Sequence, residues 1–266
     1  AKLRRRRLLN SFVLSNMWSQ VVPSFSETRR LWKAILLFLS LIFLILSLLR
    51  PQYGVEFEKI SRKGQQIIIA VDTSLSMLAE DVPPSRFDHA KREILSLIEN
   101  LKGDSLGLIA FSGNAFVQCP ITIDYSAVRL FLENLFVGSV PRPGTNIGSA
   151  IELALKSYGK EKTTNILILI TDGESFEGDV MKQVKKARKK GVRIYTVGVG
   201  TASGEPLPVL DKTTNRVIGY KKDNNDQVIL SKLDEGTLRQ ISEKTDGHYY
   251  LSNERALVMD QLYIDL

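Results

Sequence analysis

Cysteine and histidine are scarce in this sequence, which has one cysteine and two histidines in 266 residues. A single cysteine, Cys119, excludes a disulfide within the chain. It lies beside Pro120 in the apolar stretch AFVQCP, which favours a buried small side chain over a catalytic thiol.

The sequence also lacks basic residues interleaved with aromatic residues on one predicted helix or strand. Its formal net charge is +7, and the excess is concentrated near the N-terminus, where residues 4–7 are four consecutive arginines. A nucleic-acid surface needs basic groups spread over a helix or sheet face together with aromatic rings. We therefore expect no nucleic acid among the partners.

Charge is absent between Ala34 and Leu49, where only Ser40 and Ser47 are polar. Extended to residues 31–50, the segment has the length of a membrane-spanning helix. A core helix would show a polar face, and a signal peptide would be followed by small residues, whereas RPQYG follows here. We interpret the segment as a transmembrane helix in contact with the lipid bilayer.

Eight lysines and arginines precede the uncharged run from Ala34 to Leu49, whereas four follow it up to residue 63. The positive-inside rule then predicts that residues 1–30 are a basic cytoplasmic segment and that the chain after residue 50 is extracytoplasmic. The arginine run also suits binding to anionic lipid head groups. Residues 51–64 are interpreted as a juxtamembrane linker.

From Gln65 onward, strand-like and helix-like patterns alternate. This predicts an α/β domain over residues 65–252, with a doubly wound, mostly parallel sheet and helices on both faces. SLGLIAF and AFVQCPI are predicted to add one antiparallel edge strand. Residues 205–230 are polar and rich in turn formers, which indicates a β-hairpin insertion, and residues 253–266 begin a further helix. The chain starts without methionine and stops within a helical pattern, so we expect a piece of a longer protein.

Two helices in this domain have clear N-terminal signals. Ser85 with Asp88 predicts a helix start, and His89 falls on the face of that helix predicted to be exposed. Asp124 is predicted to cap a helix that runs through Phe136. Its buried stripe is expected to comprise Val128, Phe131, Leu132 and Leu135.

Five oxygen-bearing side chains are predicted to meet at one edge of the sheet: Asp72, Ser74, Ser76, Thr145 and Asp172. Asp72 and Asp172 each follow a run of apolar residues typical of a buried strand. In an extended segment, alternate side chains point the same way, so Asp72, Ser74 and Ser76 share one face. Thr145 lies in a turn before a helix, where Gly144 is expected to have a positive φ.

Carboxylate and hydroxyl oxygens suit Mg²⁺, Mn²⁺ or Ca²⁺ and do not suit zinc or copper. If the strands ending at Asp72 and Asp172 are neighbours where the strand order reverses, the sheet topology itself brings the two carboxylates together. Glu174 is assigned a supporting role at the rim. Alternatively, the two aspartates and the serines serve only as helix caps and turn formers, which explains each residue singly but not their joint placement.

The pattern D-x-S-x-S, a distant Thr and then TDGE resembles the metal-ion-dependent adhesion site of a von Willebrand factor A domain, over roughly residues 65–251. This resemblance implies that Asp72, Ser74, Ser76, Thr145 and Asp172 hold one divalent cation. It also implies that an acidic residue of another protein completes the coordination of the metal.

RPQYG, VDTSLSMLAEDVPPSRFDHAKREI, GLIAFSGNAFVQCPIT, VPRPGTNIG and LITDGES further resemble the Bat (Bacteroides aerotolerance) membrane proteins, closest to the BatB branch. The resemblance implies a domain tethered to a bacterial inner membrane, with other Bat components and an AAA-type ATPase as partners. It also implies membrane helices before and after the domain, and a role in tolerance of oxidative or envelope stress.

Two other functions stay open. The metal could be purely structural in a scaffold domain. An enzyme such as a haloacid-dehalogenase-type phosphotransferase would use Asp72 as its nucleophile, but it needs a second Asp where Ser74 stands. We therefore expect no enzymatic activity.

Overall fold

The computed structural model describes residues 27–48, 64–159, 163–174, 179–210, 217–223, 225–252 and 258–265. The predicted segments over residues 1–30 and 51–64 lie almost entirely outside these ranges. The chain divides into two compact units, Ala1–Ile60 and Ser61–Leu266.

The first unit contains helix α1, Glu27–Leu48. Its part from Leu31 to Leu48 has a mean hydropathy of 2.5 and is long and apolar enough to cross a membrane. The helix begins four residues before the predicted segment at residues 31–50. Thr28 and Arg29, which lie in its first turn, precede the apolar stretch.

The second unit contains the other described elements. Its strands are β1 Gln66–Asp72, β2 Ser105–Phe111, β3 Ala115–Thr122, β4 Asn165–Thr171, β5 Val192–Val199, β6 Glu205–Pro206, β7 Pro208–Leu210, β8 Val217–Tyr220, β9 Leu230–Ser231 and β10 Tyr249–Ser252. Its α-helices are α2 Arg86–Asn100, α3 Tyr125–Glu133, α4 Ile147–Ser157, α5 Val180–Lys189, α6 Glu235–Glu243 and α7 Val258–Asp265, and a 3-10 helix covers Leu75–Leu78.

Within the described residues, six strands form one sheet in the order β10-β5-β4-β1-β2-β3. All neighbours are parallel except β2 and β3, which confirms the predicted antiparallel edge hairpin. Strand β1 lies between β4 and β2, and β4 comes after it by a long crossover. The strand order therefore reverses at β1, and β1 and β4 are neighbours, as predicted.

Both faces of the sheet are covered, because successive side chains of each buried strand point to opposite sides. Ile67, Ile69 and Val71 of β1 belong to a core with residues of α2, α3 and α7, whereas Ile68 and Ala70 belong to a core with residues of α4, α5 and α6. The mostly parallel α/β fold is thus confirmed. Met259 and Leu262 of α7 are fully buried in the first core.

Helix α3 differs from its prediction in length and in one core residue. Asp124 does cap it, accepting hydrogen bonds from the amides of Ser126 and Ala127, but the helix ends at Glu133. Val128, Leu132 and Leu135 are buried, whereas Phe131 is 44% exposed, so its assignment to the core was wrong. Its neighbour Leu132 already occupies the buried face, and successive helical residues diverge by about 100°.

The predicted insertion at residues 205–230 contains more than one hairpin. Strands β7 and β8 pair with each other, and β6 pairs with β9. Leu207 joins the two ladders, because its amide donates to the carbonyl of Ile229 (3.2 Å) and its carbonyl accepts from the amide of Lys221 (2.9 Å). The insertion is therefore a small hydrogen-bonded layer of its own.

Candidate metal centre

Asp72 is the last residue of β1 and is fully buried. Its Oδ1 accepts a hydrogen bond from the amide of Ser74 (2.8 Å), and its Oδ2 accepts one from the hydroxyl of Thr171 at the end of β4 (2.6 Å). Both carboxylate oxygens thus have a neutral donor. These two bonds fix the carboxylate at the carboxyl edge of the sheet.

Ser74 and Ser76 do come together, but not by the predicted route. The extended conformation ends near Ser74, and the 3-10 helix begins at Leu75. Their hydroxyl oxygens lie 2.9 Å apart, and both residues are buried. A tight helical turn, and not strand alternation, therefore brings the two hydroxyls together, while Leu75 is left 49% exposed.

Asp172 directly follows β4 and is also fully buried. Its Oδ2 accepts from the guanidinium of Arg86 (3.2 Å) and from the hydroxyl of Ser231 (3.2 Å), while its Oδ1 accepts from the amide of Glu174 (3.2 Å). The Ser76 side chain also lowers the pKa of this carboxyl group. Asp172 is thus influenced both by the serine turn and by the buried guanidinium of Arg86.

Thr145 is buried immediately before α4. Gly144 has φ 106°, the positive value expected, and its carbonyl accepts from the hydroxyl of Ser112 (2.7 Å). Asn146 caps α4 by accepting from the amide of Ser149 (2.9 Å). This turn places Thr145 on the wall of the same pocket that Ser74 and Ser76 line.

The electrostatics of the pair of aspartates fit a divalent cation. Burial, followed by the charge of Asp172, raises the pKa of Asp72 from 3.8 to about 7. Burial is also the main cause that raises the pKa of Asp172, which the guanidinium of Arg86 opposes. Removal from water and mutual repulsion disfavour two adjacent negative charges, and a bound dication would reverse both effects.

The donor set fits the same conclusion. Among the residues that the structure describes, no three Asp, Glu, His or Cys side chains are grouped to hold a metal ion. The candidate ligands predicted from the sequence include two carboxylates, Asp72 and Asp172, and the others are hydroxyls. Such an all-oxygen set matches the preferences of Mg²⁺, Mn²⁺ and Ca²⁺.

Arg86 was missed as a functional residue by the sequence interpretation. It is fully buried at the start of α2, and its guanidinium makes two contacts of 2.7 Å with the carboxylate of Asp81 besides the contact with Asp172. Burial would raise the pKa of Asp81, but the bonds and charge of Arg86 together with the bonds from Thr201 lower it. No local pattern could have shown this pairing, because Arg86 in SRFDHAKRE follows a capping serine like any exposed basic residue.

Glu174 connects the centre to the insertion. Its carboxylate accepts from the hydroxyl of Ser231 (3.2 Å) and from the amide of Lys232 (2.9 Å), at and just beyond the end of β9. Arg86 also donates to the hydroxyl and to the carbonyl of Ser231 (2.9 and 3.1 Å). The insertion is thereby fastened beside the candidate ligands.

An open pocket of about 600 Å³ lies beside the candidate metal centre. The hydroxyl-bearing residues Ser74, Ser76 and Thr145 line it together with Glu174. The three candidate hydroxyl ligands therefore line a pocket at the protein surface, whereas Asp72 and Asp172 are fully buried and do not line it.

His89 does not lie on an exposed helix face, so that prediction was wrong. It is buried on α2, with its Nε2 2.8 Å from the hydroxyl of Ser252 and 3.5 Å from the carboxylate of Glu93. Glu93 accepts from the Ser252 hydroxyl and from the amides of Val258 and Met259 at the start of α7. Ser252 is fully buried and the acid caps a helix, so the arrangement fixes α7 and does not form a catalytic triad.

Comparison with known proteins places the fold. The von Willebrand factor type A domain family matches residues 66–261. BatB from Bacteroides thetaiotaomicron, whose crystal structure is known, is 37% identical, with a TM-score of 0.70 over 76% of this chain and 96% of that one.

Two further relatives agree. An aerotolerance-related membrane protein from Bacteroides fragilis, crystallised with multiple mutations to serine, is 34% identical, with a TM-score of 0.69 over 76% of this chain and 100% of that one. A UPF0353 protein of Nocardia farcinica is 25% identical over 264 residues, which cover 94% of this chain and 75% of that protein.

Proposed function

Because the chain belongs to the von Willebrand factor type A domain family, among the Bat aerotolerance-related membrane proteins, we propose that it is a membrane-tethered, cation-dependent protein-binding module. Asp72, Ser74, Ser76, Thr145 and Asp172 are the proposed ligands of the cation. The proposed partner is another protein that presents an aspartate or glutamate to it.

The observation that carries this proposal is the convergence of the two buried carboxylates at the crossover point of the sheet. Asp72 and Asp172 lie at the ends of adjacent strands, and Ser74 and Ser76, which complete the cluster, line an open pocket. Two aspartates offset the double charge of Mg²⁺, Mn²⁺ or Ca²⁺, and neutral hydroxyls fill further positions. When bound, such a cation supplies a coordination position for a carboxylate from outside.

The membrane attachment is supported by α1, by the pattern of basic residues and by the similarity to a Bacteroides fragilis membrane protein. We propose that the chain is anchored in a bacterial inner membrane with its domain on the extracytoplasmic side. Other Bat components and an AAA-type ATPase are the proposed assembly partners, and the response to oxidative or envelope stress is the proposed context.

A titration of the full chain in detergent tests the cation site. Isothermal titration calorimetry with Mg²⁺ and Mn²⁺ is expected to show one site per chain, which Asp72→Ala abolishes. Capture of partners from solubilised membranes by cross-linking is then compared with and without chelator. Binding of cation with capture that ignores the chelator would favour a structural metal and contradict the adhesion role.

An enzymatic role is the weaker alternative. Ser74 stands where a phosphotransferase of the type considered above needs its second aspartate, and its hydroxyl contacts that of Ser76 (2.9 Å). Hydrolysis of p-nitrophenyl phosphate that requires Asp72 and Mg²⁺ would overturn the non-enzymatic proposal.

A further inference from the structure

The pocket above the candidate ligands has a second, apolar part that their chemistry does not explain. Leu75, Val140, Pro141, Leu207, Ile229 and Leu230 line it alongside the hydroxyl-bearing residues. We name this set the apolar groove. A volume of about 600 Å³ lies within the range of sites that bind ligands, roughly 300–1,000 Å³.

The apolar groove has two sources in the chain. Leu75 projects from the 3-10 helix between the two candidate serine ligands, and Val140 and Pro141 come from the loop after α3. The insertion supplies Leu207, Ile229 and Leu230. The groove is therefore assembled by the insertion and by the loops of the candidate metal centre together.

Hydrogen bonds fix the position of the insertion along one side of the apolar groove. Leu207 bonds to both of its neighbouring segments, as described above, and Leu230 precedes Ser231, which contacts Arg86, Asp172 and Glu174. Half of the surface of Leu75 and Leu230 is nevertheless exposed (49% and 46%). Two aliphatic side chains held in place but left in water gain free energy when a ligand covers them.

Charge around the pocket adds a further requirement. Lys221 and Glu174 line it with opposite charges, so the preference for an acidic ligand comes from the proposed cation beside Ser74, Ser76 and Thr145. A ligand must thus combine acidic with apolar groups within a short distance. Adjacent side chains of a polypeptide meet this requirement, because an extended chain advances only about 3.3–3.6 Å per residue.

From this arrangement we infer that the apolar groove recognises a polypeptide segment of the partner in which a Leu, Ile, Val or Phe lies within two positions of the acidic residue. This inference rests on the proposed function, to which it adds sequence selectivity. The insertion is then the element that determines which acidic residues bind, since it supplies half of the groove.

The test uses the full chain reconstituted in lipid nanodiscs and a display library of random dodecapeptides. Peptides are selected in Mg²⁺ and eluted with chelator. The eluted peptides are expected to contain Asp or Glu and to be enriched in aliphatic or aromatic residues within two positions of it. The affinity of the best peptide is then measured by fluorescence anisotropy.

The double variant Leu75→Ser/Leu230→Ser is expected to lower the affinity for that peptide about tenfold. Val217→Ser is the matched control, because Val217 is 48% exposed on the same insertion but does not line the pocket. It is expected to leave the affinity unchanged. Thermal unfolding of each variant, followed by circular dichroism, confirms that the fold is retained.

The outcomes separate this inference from the proposed function. Acidic peptides eluted by chelator with no preference for apolar neighbours, or an affinity that the double variant leaves intact, would overturn the inference alone. Binding that persists in chelator would instead contradict the proposed function. Equal binding of a small carboxylate such as hexanoate would assign the groove to small molecules and overturn the polypeptide inference.

Discussion

The two buried aspartates at the edge of the sheet have contrasting neighbours. Asp72 accepts hydrogen bonds from the Thr171 hydroxyl and the Ser74 amide, which are both neutral. Asp172 accepts from the Arg86 guanidinium, which it shares with Asp81. The protein thus offsets part of the negative charge of Asp172 with a guanidinium, whereas the two hydrogen-bond donors to Asp72 are neutral.

This difference suggests a division of roles. Burial raises the pKa of both carboxyl groups, to about 7 for Asp72, and the Arg86 guanidinium opposes the rise at Asp172. A dication is the natural counter-charge for the second carboxylate. The proposed cation site is therefore a pair of acids of which only Asp172 has a charged partner within the described part of the protein.

The largest effect is expected from removing the buried guanidinium of Arg86. Arg86→Met keeps an unbranched side chain but leaves Asp81 and Asp172 without their partner, which for a buried pair costs about 3–5 kcal/mol in the free energy of unfolding. Denaturant unfolding followed by circular dichroism measures it. Arg129→Met, which removes an exposed ion pair with Glu99, should cost less than about 1 kcal/mol. Equal losses in the two variants would contradict the role of Arg86.

The second effect is a pH dependence that exists only without cation. The pKa of Asp72 is higher in the folded state than in the unfolded state, so the folded state binds more protons between about pH 4 and 7. In the presence of chelator, the contribution of Asp72 to stability is therefore complete below pH 4. It is lost as the pH rises toward 7, by about 1 kcal/mol in the free energy of unfolding per pH unit. Saturating Mg²⁺, or Asp72→Asn, should flatten the curve of melting temperature against pH. A slope that survives both changes would place its origin elsewhere.

Third, Asp72→Asn should weaken Mn²⁺ binding by roughly 100-fold, because one of two carboxylate ligands loses its charge. Calorimetry on the full chain measures the change. Asp226→Asn is the control, since 84% of the Asp226 side chain is exposed and its positive φ also suits Asn. An affinity unchanged in Asp72→Asn would exclude the proposed site.

The smallest effect concerns the group that orients Asp72. Thr171→Val removes the hydroxyl that donates to its carboxylate, and such outer contacts are worth about tenfold in cation affinity. Thr196→Val is the matched control, because Thr196 is equally buried but donates to the carbonyl of Leu238. Mn²⁺ titration should separate the two variants, and similar affinities would show that the Thr171 bond does not orient the ligand.

Several features of the site followed from local sequence. The apolar runs before Asp72 and Asp172 predicted strands that end there, and the positive φ of Gly144 followed from its turn. The path from Asp72 to Ser76 was predicted as extended throughout, but a 3-10 helix begins at Leu75. Strand alternation placed Ser74 and Ser76 on one side, and their hydroxyls do lie 2.9 Å apart, so the pattern identified the pair but not the backbone path between them.

Other features depended on contacts between distant residues. Arg86 meets Asp172 and Ser231 at separations of 86 and 145 positions. His89 is buried because Ser252 and α7 cover one side of α2, although its own helical neighbours are polar. Helical periodicity shows which face of a helix is apolar, but it does not show which polar side chains find a partner.

The sequence by itself determined the alternation of strands and helices, the apolar helix and the positions of the two strand-end aspartates, because these depend on short-range periodicity and on the period of the backbone. Only the tertiary structure decided that one aspartate receives a buried guanidinium and that the insertion stands beside the other ligands. Those features arise when packing removes charged groups from water and each must find a partner of opposite charge or a hydrogen bond.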